Sequence, residues 1–258
     1  MWIYKLKVKP DGTVDRHKAR LVAKGYTQME GIDFFESFSP VAKLVTIRTL
    51  LALAASQNWH VHQLDVNNAF VLGNLDEELY MQPPEGYSMP PGHVCKLKKS
   101  LYELKHASRQ WNQEFNTKME YFGFKQYKNG YCLIIKSSTV GFLTLLVYVD
   151  DILITGPSEE LISDVKQCIH ELFNIKDLGV AKYFLGIEIT CSLHRMFLTQ
   201  AKYTKDILAN VGMEQAKAAT TPLPTGIKFT LEAENTLPHP KVYRRHSWSF
   251  VVFGVYKA

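Results

Sequence analysis

Leu143-Thr144-Leu145-Leu146-Val147-Tyr148-Val149-Asp150-Asp151-Ile152-Leu153-Ile154 sets two aspartates side by side between two apolar runs. The flanking β-branched and aromatic residues predict two short strands. The acids fall where the chain must reverse, so the segment reads as a hairpin with its charges at the tip. Adjacent carboxylates repel, and each raises the other's pKa unless a cation lies between them. A divalent metal resolves that repulsion, and oxygen-only ligands select a hard ion such as Mg²⁺. A solvated turn is the plain alternative, since Asp is a common turn residue.

A third acid lies upstream. In Gln63-Leu64-Asp65-Val66-Asn67-Asn68-Ala69-Phe70, Asp65 follows an alternating stretch marked by Trp59, Val61 and Leu64, which places it at a strand end. Asp65, Asp150 and Asp151 would then be three carboxylates converging on two metal ions. That arrangement suits in-line phosphoryl transfer, one ion activating the attacking hydroxyl and the other holding the leaving oxygen.

Tyr148-Val149-Asp150-Asp151 and Leu64-Asp65-Val66-x-x-Ala69-Phe70 resemble the reverse transcriptase domain of Ty1/copia-type retrotransposon Pol polyproteins. Other segments carry the resemblance in collinear order. They include Lys18-Ala19-Arg20-Leu21-Val22-Ala23-Lys24-Gly25, Glu30-Gly31-Ile32-Asp33-Phe34, Phe38-Ser39-Pro40-Val41 and Thr46-Ile47-Arg48-Thr49-Leu50-Leu51. Downstream follow Asp177-Leu178-Gly179, Lys182-Tyr183-Phe184-Leu185-Gly186-Ile187-Glu188, Gln200-Ala201-Lys202-Tyr203 and Thr221-Pro222-Leu223. The resemblance runs from about Trp2 to about Tyr243.

Composition agrees without discriminating. With 258 residues, 46% of them hydrophobic, the chain can bury a substantial core as one large domain or two subdomains. A net charge of +5 permits binding to phosphates but does not demand it. Cys95, Cys132, Cys168 and Cys191 lack metal-ligand spacing and read as reduced thiols, which fits a cytoplasmic or nuclear protein. Neither a signal peptide nor a membrane-length apolar run is evident, so no membrane partner is expected.

The patterning predicts an N-terminal hairpin, with a strand over 2–8, a turn at Pro10-Asp11-Gly12 and a strand carrying 20–23. Helices are expected over 46–57 with Thr46 as cap, over 101–122 with Leu101, Leu104, Trp111, Phe115 and Met119 on one face, over 159–173, and over 203–211 ending at Gly212. A strand over 132–136 precedes the acidic hairpin, and a second hairpin over 183–190 and 196–199 turns around 192–195. Helices on one face of an antiparallel sheet make an α+β layer.

The resemblance implies that this layer is the palm of a right-hand polymerase. Fingers would lie before and between its elements, with an incomplete thumb starting at about 200. Residues 1–243 would form the reverse transcriptase domain and 244–258 a divergent tail. The implied activity is RNA-directed DNA polymerisation with two Mg²⁺ ions, or Mn²⁺ in their place, using a primed RNA or DNA template and deoxynucleoside triphosphates. Asp65, Asp150 and Asp151 would be catalytic, and they would hold the metal with the backbone carbonyl of Val66. Phe70 occupies the place of an aromatic gate that would clash with a 2′-hydroxyl; the plain alternative is a core aromatic.

Lys18, Arg20 and Lys24 share parity, so on a strand they project from one face and suit a triphosphate; a solvated face is the bland alternative. A second basic set, Lys96, Lys98, Lys99, Lys105 and Arg109, is expected to meet template phosphates, although a solvated helix explains it nearly as well. By resemblance Tyr183, Phe184, Leu185 and Gly186 form a primer grip, with packing as the alternative.

The chain also departs from the pattern. Leu101-Tyr102-Glu103-Leu104-Lys105-His106-Ala107-Ser108-Arg109 stands where the family usually has Leu-Tyr-Gly-Leu-Lys-Gln-Ala-Pro-Arg. The glycine there would permit a positive φ or a close approach, and a glutamate adds bulk and negative charge. After Tyr243-Arg244 the sequence leaves the family altogether, and the chain opens inside the fingers. Two expectations follow: a metal-dependent polymerase, or an inactive remnant of a decayed retrotransposon with at most weak nucleic-acid binding.

Overall fold

A computed structural model gives the fold and describes residues 1–9, 11–192, 195–217, 240, 243, 244 and 247. The Thr221-Pro222-Leu223 motif, most of the 244–258 tail and part of the expected 192–195 turn lie outside the described residues. The chain divides into two compact units, residues 1–181 and 182–258.

The first unit opens with a two-stranded antiparallel ribbon, β1 (Trp2–Val8) and β2 (Val14–Leu21), in which Trp2 pairs with Leu21. This is the expected hairpin, but β2 ends at Leu21. A 3-10 turn at Gly25–Thr27 and helix α1 (Leu44–Ser56) follow. Helix α1 begins before Thr46, which therefore lies inside it rather than capping it; Lys43 holds the cap position without a side-chain bond. Half-buried Leu44 extends the buried stripe of Ile47, Leu51 and Ala54 upstream, so burial rather than a polar cap sets the start.

Strand β3 (His60–Val66), the short helix α2 (Ala69–Leu72), the small pair β4 (Tyr80–Met81) and β5 (Cys95–Lys96), and α3 (Ala107–Tyr121) come next. Then follow β6 (Lys125–Gln126), β7 (Leu133–Ser138), β8 (Gly141–Tyr148), β9 (Asp151–Gly156), α4 (Glu159–Leu172) and β10 (Ile175–Val180). Helix α3 is shorter than the periodicity predicts. Leu101 and Leu104 lie ahead of it because Glu103 adopts φ +71° and Tyr102 forms a parallel bridge with Val22, which together break the helix. Ser158 caps α4 by accepting hydrogen bonds from the Glu160 and Leu161 amides at 3.2 and 3.5 Å.

A six-stranded sheet runs in the order β10-β3-β9-β8-β7-β6, with every neighbouring pair antiparallel. Leu64, Leu145, Val147, Ile152 and Ile154 on one face pack against Trp111, Phe115 and Met119 of α3 and Ile162, Val165 and Ile169 of α4. Each fully buried side chain of this size contributes roughly 1.5–3 kcal/mol. The mixed α/β chain with antiparallel sheets fits the expected fold class. The opposite face is not bare either, since Leu146 and Leu153, partners across β8 and β9, are fully buried there.

The second unit holds a three-stranded antiparallel sheet of β11 (Tyr183–Phe184), β12 (Ile187–Ser192) and β13 (Arg195–Thr199), followed by α5 (Ala201–Asn210). The expected continuous strand over 183–190 is broken. Leu185 and Gly186 both take positive φ, +46° and +84°, and make a tight two-residue turn that pairs Phe184 with Ile187.

Candidate functional site

Sheet register alone brings the acids together. Asp65 of β3 lies directly opposite Asp151 of β9, and Asp151 lies opposite Tyr148 of β8. On the outer side Asp65 faces Lys176 of β10. Residues directly opposite in antiparallel strands share a face, so this row carries Lys176, Asp65, Asp151 and Tyr148 on one surface. It is the surface opposite the α3 and α4 packing, because Leu64 and Ile152, the neighbours in register, point into that core.

Val149 and Asp150 form the hairpin turn between Tyr148 and Asp151. Val149 sits at φ +54°, a conformation that a β-branched residue adopts only when its surroundings enforce it. Two hydrogen bonds do so. The Trp111 indole donates to the Val149 carbonyl at 2.6 Å, and the Val66 amide donates to the Asp150 carbonyl at 2.8 Å. The second bond ties Val66, the residue after Asp65, to the turn.

Burial pushes the Asp151 carboxyl above the usual carboxylate range. The Gln63 side-chain amide, donating to Asp151 at 3.2 Å, works against this, and the charges of Asp150 and Asp65 reinforce it. Three carboxylates in mutual electrostatic reach are an all-oxygen donor set of the kind a hard divalent cation takes. As the side chains stand, no group of three or more His, Cys, Asp or Glu among the described residues is drawn close enough to hold a metal ion. The donor chemistry therefore fits a metal, while the ligand cage is not closed.

The N-terminal ribbon is basic on one face. Its register pairs Lys5 with Lys18, Lys7 with Arg16 and Ile3 with Arg20. Arg20, burial, Lys7 and Arg16 hold the Lys18 ammonium below its usual range, and Asp65 opposes them. Lys18 and Arg20 both lie on β2 and share a face of the ribbon, as strand parity requires. Lys24 does not, because β2 ends three residues earlier and Lys24 sits, exposed, at the start of the 3-10 turn, where strand parity no longer applies.

Arg20 lies over the ring of Tyr102, its guanidinium carbon 3.9 Å from the centroid. The same ring meets Phe70 edge-on, at 4.9 Å between centroids and 68° between planes. Phe70 is half-buried on α2, beside an open hollow also lined by Met1, Ile3, Glu103, Lys105 and Ser108. Burial pushes the Tyr102 phenol up; Arg20 works against that, and Asp150 and Asp65 add to it.

The second basic set is largely engaged with protein groups. Arg109 pairs with Glu36 at 2.9 Å and with Asp76 at 3.9 Å, Lys96 pairs with Glu78, and Lys99 reaches Asn74 at 2.5 Å. Lys105 is exposed at the hollow, its amide bonded to Gln28 at 2.9 Å. Tyr183, Phe184, Leu185 and Gly186 occupy the tight turn of the second unit, with Phe184 fully buried.

Glu103 adopts the left-handed conformation that a glycine at that place would allow, and its side chain is exposed. His106 is fully buried with neither ring nitrogen hydrogen-bonded, 4.0 Å from Glu77. Burial lowers its pKa and Arg109 adds to that, against Glu77 and Asp76.

Sequence reasoning missed two residues of this surface. Nothing in the spacing of Tyr102 signals a ring set between Arg20 and Phe70. Lys176 was missed because β10 is an edge strand whose burial barely alternates; a lysine next to the Asp177-Leu178-Gly179 segment was its only signal.

A family model described as reverse transcriptase (RNA-dependent DNA polymerase) matches residues 1–225. The retrovirus-related Pol polyprotein from transposon RE2 of Arabidopsis thaliana is 41% identical over 245 residues, covering 94% of this chain and 17% of that polyprotein. The corresponding polyprotein from transposon TNT 1-94 of Nicotiana tabacum is 43% identical over 234 residues, 89% of this chain and 18% of its own length. The transposon Ty1-BL Gag-Pol polyprotein of Saccharomyces cerevisiae is 29% identical over 224 residues, 83% of this chain and 12% of its own. The chain spans less than a fifth of these relatives.

Proposed function

Because the chain belongs to the reverse transcriptase (RNA-dependent DNA polymerase) family, of the kind found in Ty1/copia-type retrotransposon Pol polyproteins, we propose that it extends a primer 3′-hydroxyl on an RNA or DNA template with deoxynucleoside triphosphates. The observation that carries this reading is the register of Asp65 with Asp151, with Asp150 in the adjoining turn.

In this reading the six-stranded sheet is the palm, the β1–β2 ribbon belongs to the fingers, and the thumb starts near α5. Asp65, Asp150 and Asp151, with the Val66 carbonyl, would hold two Mg²⁺ ions. When bound, such ions activate the attacking hydroxyl and neutralise charge on the leaving pyrophosphate. Burial and mutual repulsion make the Asp151 carboxylate costly without a cation. Lys18 and Arg20 neutralise the triphosphate, which must lose its charge repulsion before attack. Phe70 lies flat beneath the sugar and excludes a 2′-hydroxyl. Tyr183, Phe184, Leu185 and Gly186 seat the primer. Lys105 meets template phosphate in preference to Arg109, which is committed to Glu36 and Asp76.

The test is primer extension on oligo(dT)-primed poly(rA) with Mg²⁺, beside Asp150→Asn. Extension by the wild type that disappears in the variant supports the polymerase. The absence of extension from protein shown to be folded supports the second reading, an inactive remnant. That reading is favoured by Glu103, held in a glycine-like conformation with its charge beside the hollow at Phe70.

A further inference from the structure

Tyr102 stands at the junction of two groups that the proposed reaction uses separately. Its backbone is fixed first: the Tyr102 carbonyl accepts from the Ala23 amide at 3.0 Å, and Val22 bridges to it in parallel. The ring therefore emerges from a stitched segment rather than a free loop. One face lies under Arg20 at 3.9 Å, and the ring meets Phe70 at 4.9 Å in an edge-on contact. Arg20 comes from β2 and Phe70 from α2, elements with no strand pairing between them. Tyr102 is the side chain that links the two.

We propose that Tyr102 is a positioning residue for sugar selection, setting the Phe70 ring and the Arg20 guanidinium in one stack so that gripping the triphosphate and excluding the 2′-hydroxyl are a single geometric event. The inference rests on the polymerase reading and goes beyond it. A gate ring excludes a hydroxyl only if it cannot turn aside; Phe70, on a one-turn helix, packs partly against the core, and the Tyr102 ring bounds it edge-on at 4.9 Å. A guanidinium over an aromatic face is held in plane and keeps its outward donors free for phosphate. The contacts need the ring rather than the hydroxyl, so phenylalanine at this position keeps them.

Single-nucleotide incorporation with a deoxynucleotide and the matching ribonucleotide, on the full chain, decides the matter. In Tyr102→Leu the KM for the deoxynucleotide rises and the deoxy-to-ribo ratio of kcat/KM falls, each by about tenfold, the scale of two lost ring contacts, while kcat holds. In Tyr102→Phe both stay at wild-type values. Tyr102→Trp keeps a face for Arg20 but changes the edge offered to Phe70. It lowers the ratio with KM intact, and it serves if the leucine variant does not fold. An unchanged ratio in both Tyr102→Leu and Tyr102→Trp, or a loss confined to kcat, overturns the inference and leaves the polymerase reading standing. A wild type that neither binds nor incorporates nucleotide overturns both.

Discussion

The Glu103 carbonyl oxygen occupies the space that a Cβ on Gly25 would take, so the two backbones touch where one residue has no side chain. Glu103 itself is held at φ +71°. Replacing it by glycine removes a left-handed strain of roughly 1 kcal/mol and one negative charge near the hollow at Phe70. Glu103→Gly should raise the urea midpoint, and in an active chain it should also lower the KM for nucleotide. Gly25→Ala should destabilise far more, because the obstacle is backbone.

Asp151 carries a sign that can be checked. Its folded-state pKa is raised above the unfolded value, so it contributes stability at low pH that is lost as pH rises through the folded value. Asp151→Asn should therefore melt at a higher temperature than wild type at neutral pH while losing extension activity. Comparing the two melting curves across pH checks both halves. A lower melting temperature for the variant at pH 7 would remove burial and charge crowding as the cause.

A divalent cation relieves the same crowding. Mg²⁺ should raise the melting temperature of the wild type in the absence of nucleotide, and Asp65→Asn or Asp150→Asn should reduce the gain. Calorimetry with Mg²⁺ against an equal ionic strength of KCl separates binding from screening.

His106 works in the opposite direction to Asp151. Its pKa is lowered below the ordinary value near 6.5, with Glu77, Asp76 and Arg109 as the charged groups acting on it. The folded state holds the ring neutral, so stability present above about pH 6.5 is lost as pH falls from there toward the folded value. Stability profiles of wild type and His106→Gln should diverge only on that acid side. Parallel profiles would mean the ring titrates as freely when folded as when unfolded.

The acidic hairpin was legible in the sequence because β-branched runs around a reversal leave few alternatives, and α4 was legible because Leu161, Val165, Ile169 and Leu172 recur at helical spacing, although the structure buries Ile162 fully and leaves Leu161 and Leu172 half-buried. Tertiary pairing was not. Strand β10 forms because β3 offers it an edge, not because its own burial alternates. The start of α3 was misjudged because Leu101 and Leu104 fit the helical period, while the left-handed Glu103 between them breaks it. Lys24 was placed on a strand that a bridge from Val22 to Tyr102 ends. Of the candidate site, the meeting of Asp65 with the Asp150-Asp151 hairpin could be expected from motifs, but the ring joining Arg20 to Phe70 depends on tertiary contacts that no local pattern encodes.

The hydrogen bond from Trp111 to the Val149 carbonyl turns one of the chain's four tryptophans into a built-in gauge. The indole hydrogen exchanges with solvent only when the hairpin tip lifts away from α3. Its exchange rate in heavy water thus reports how often the two neighbouring aspartates leave their places, with no label attached and no substrate added.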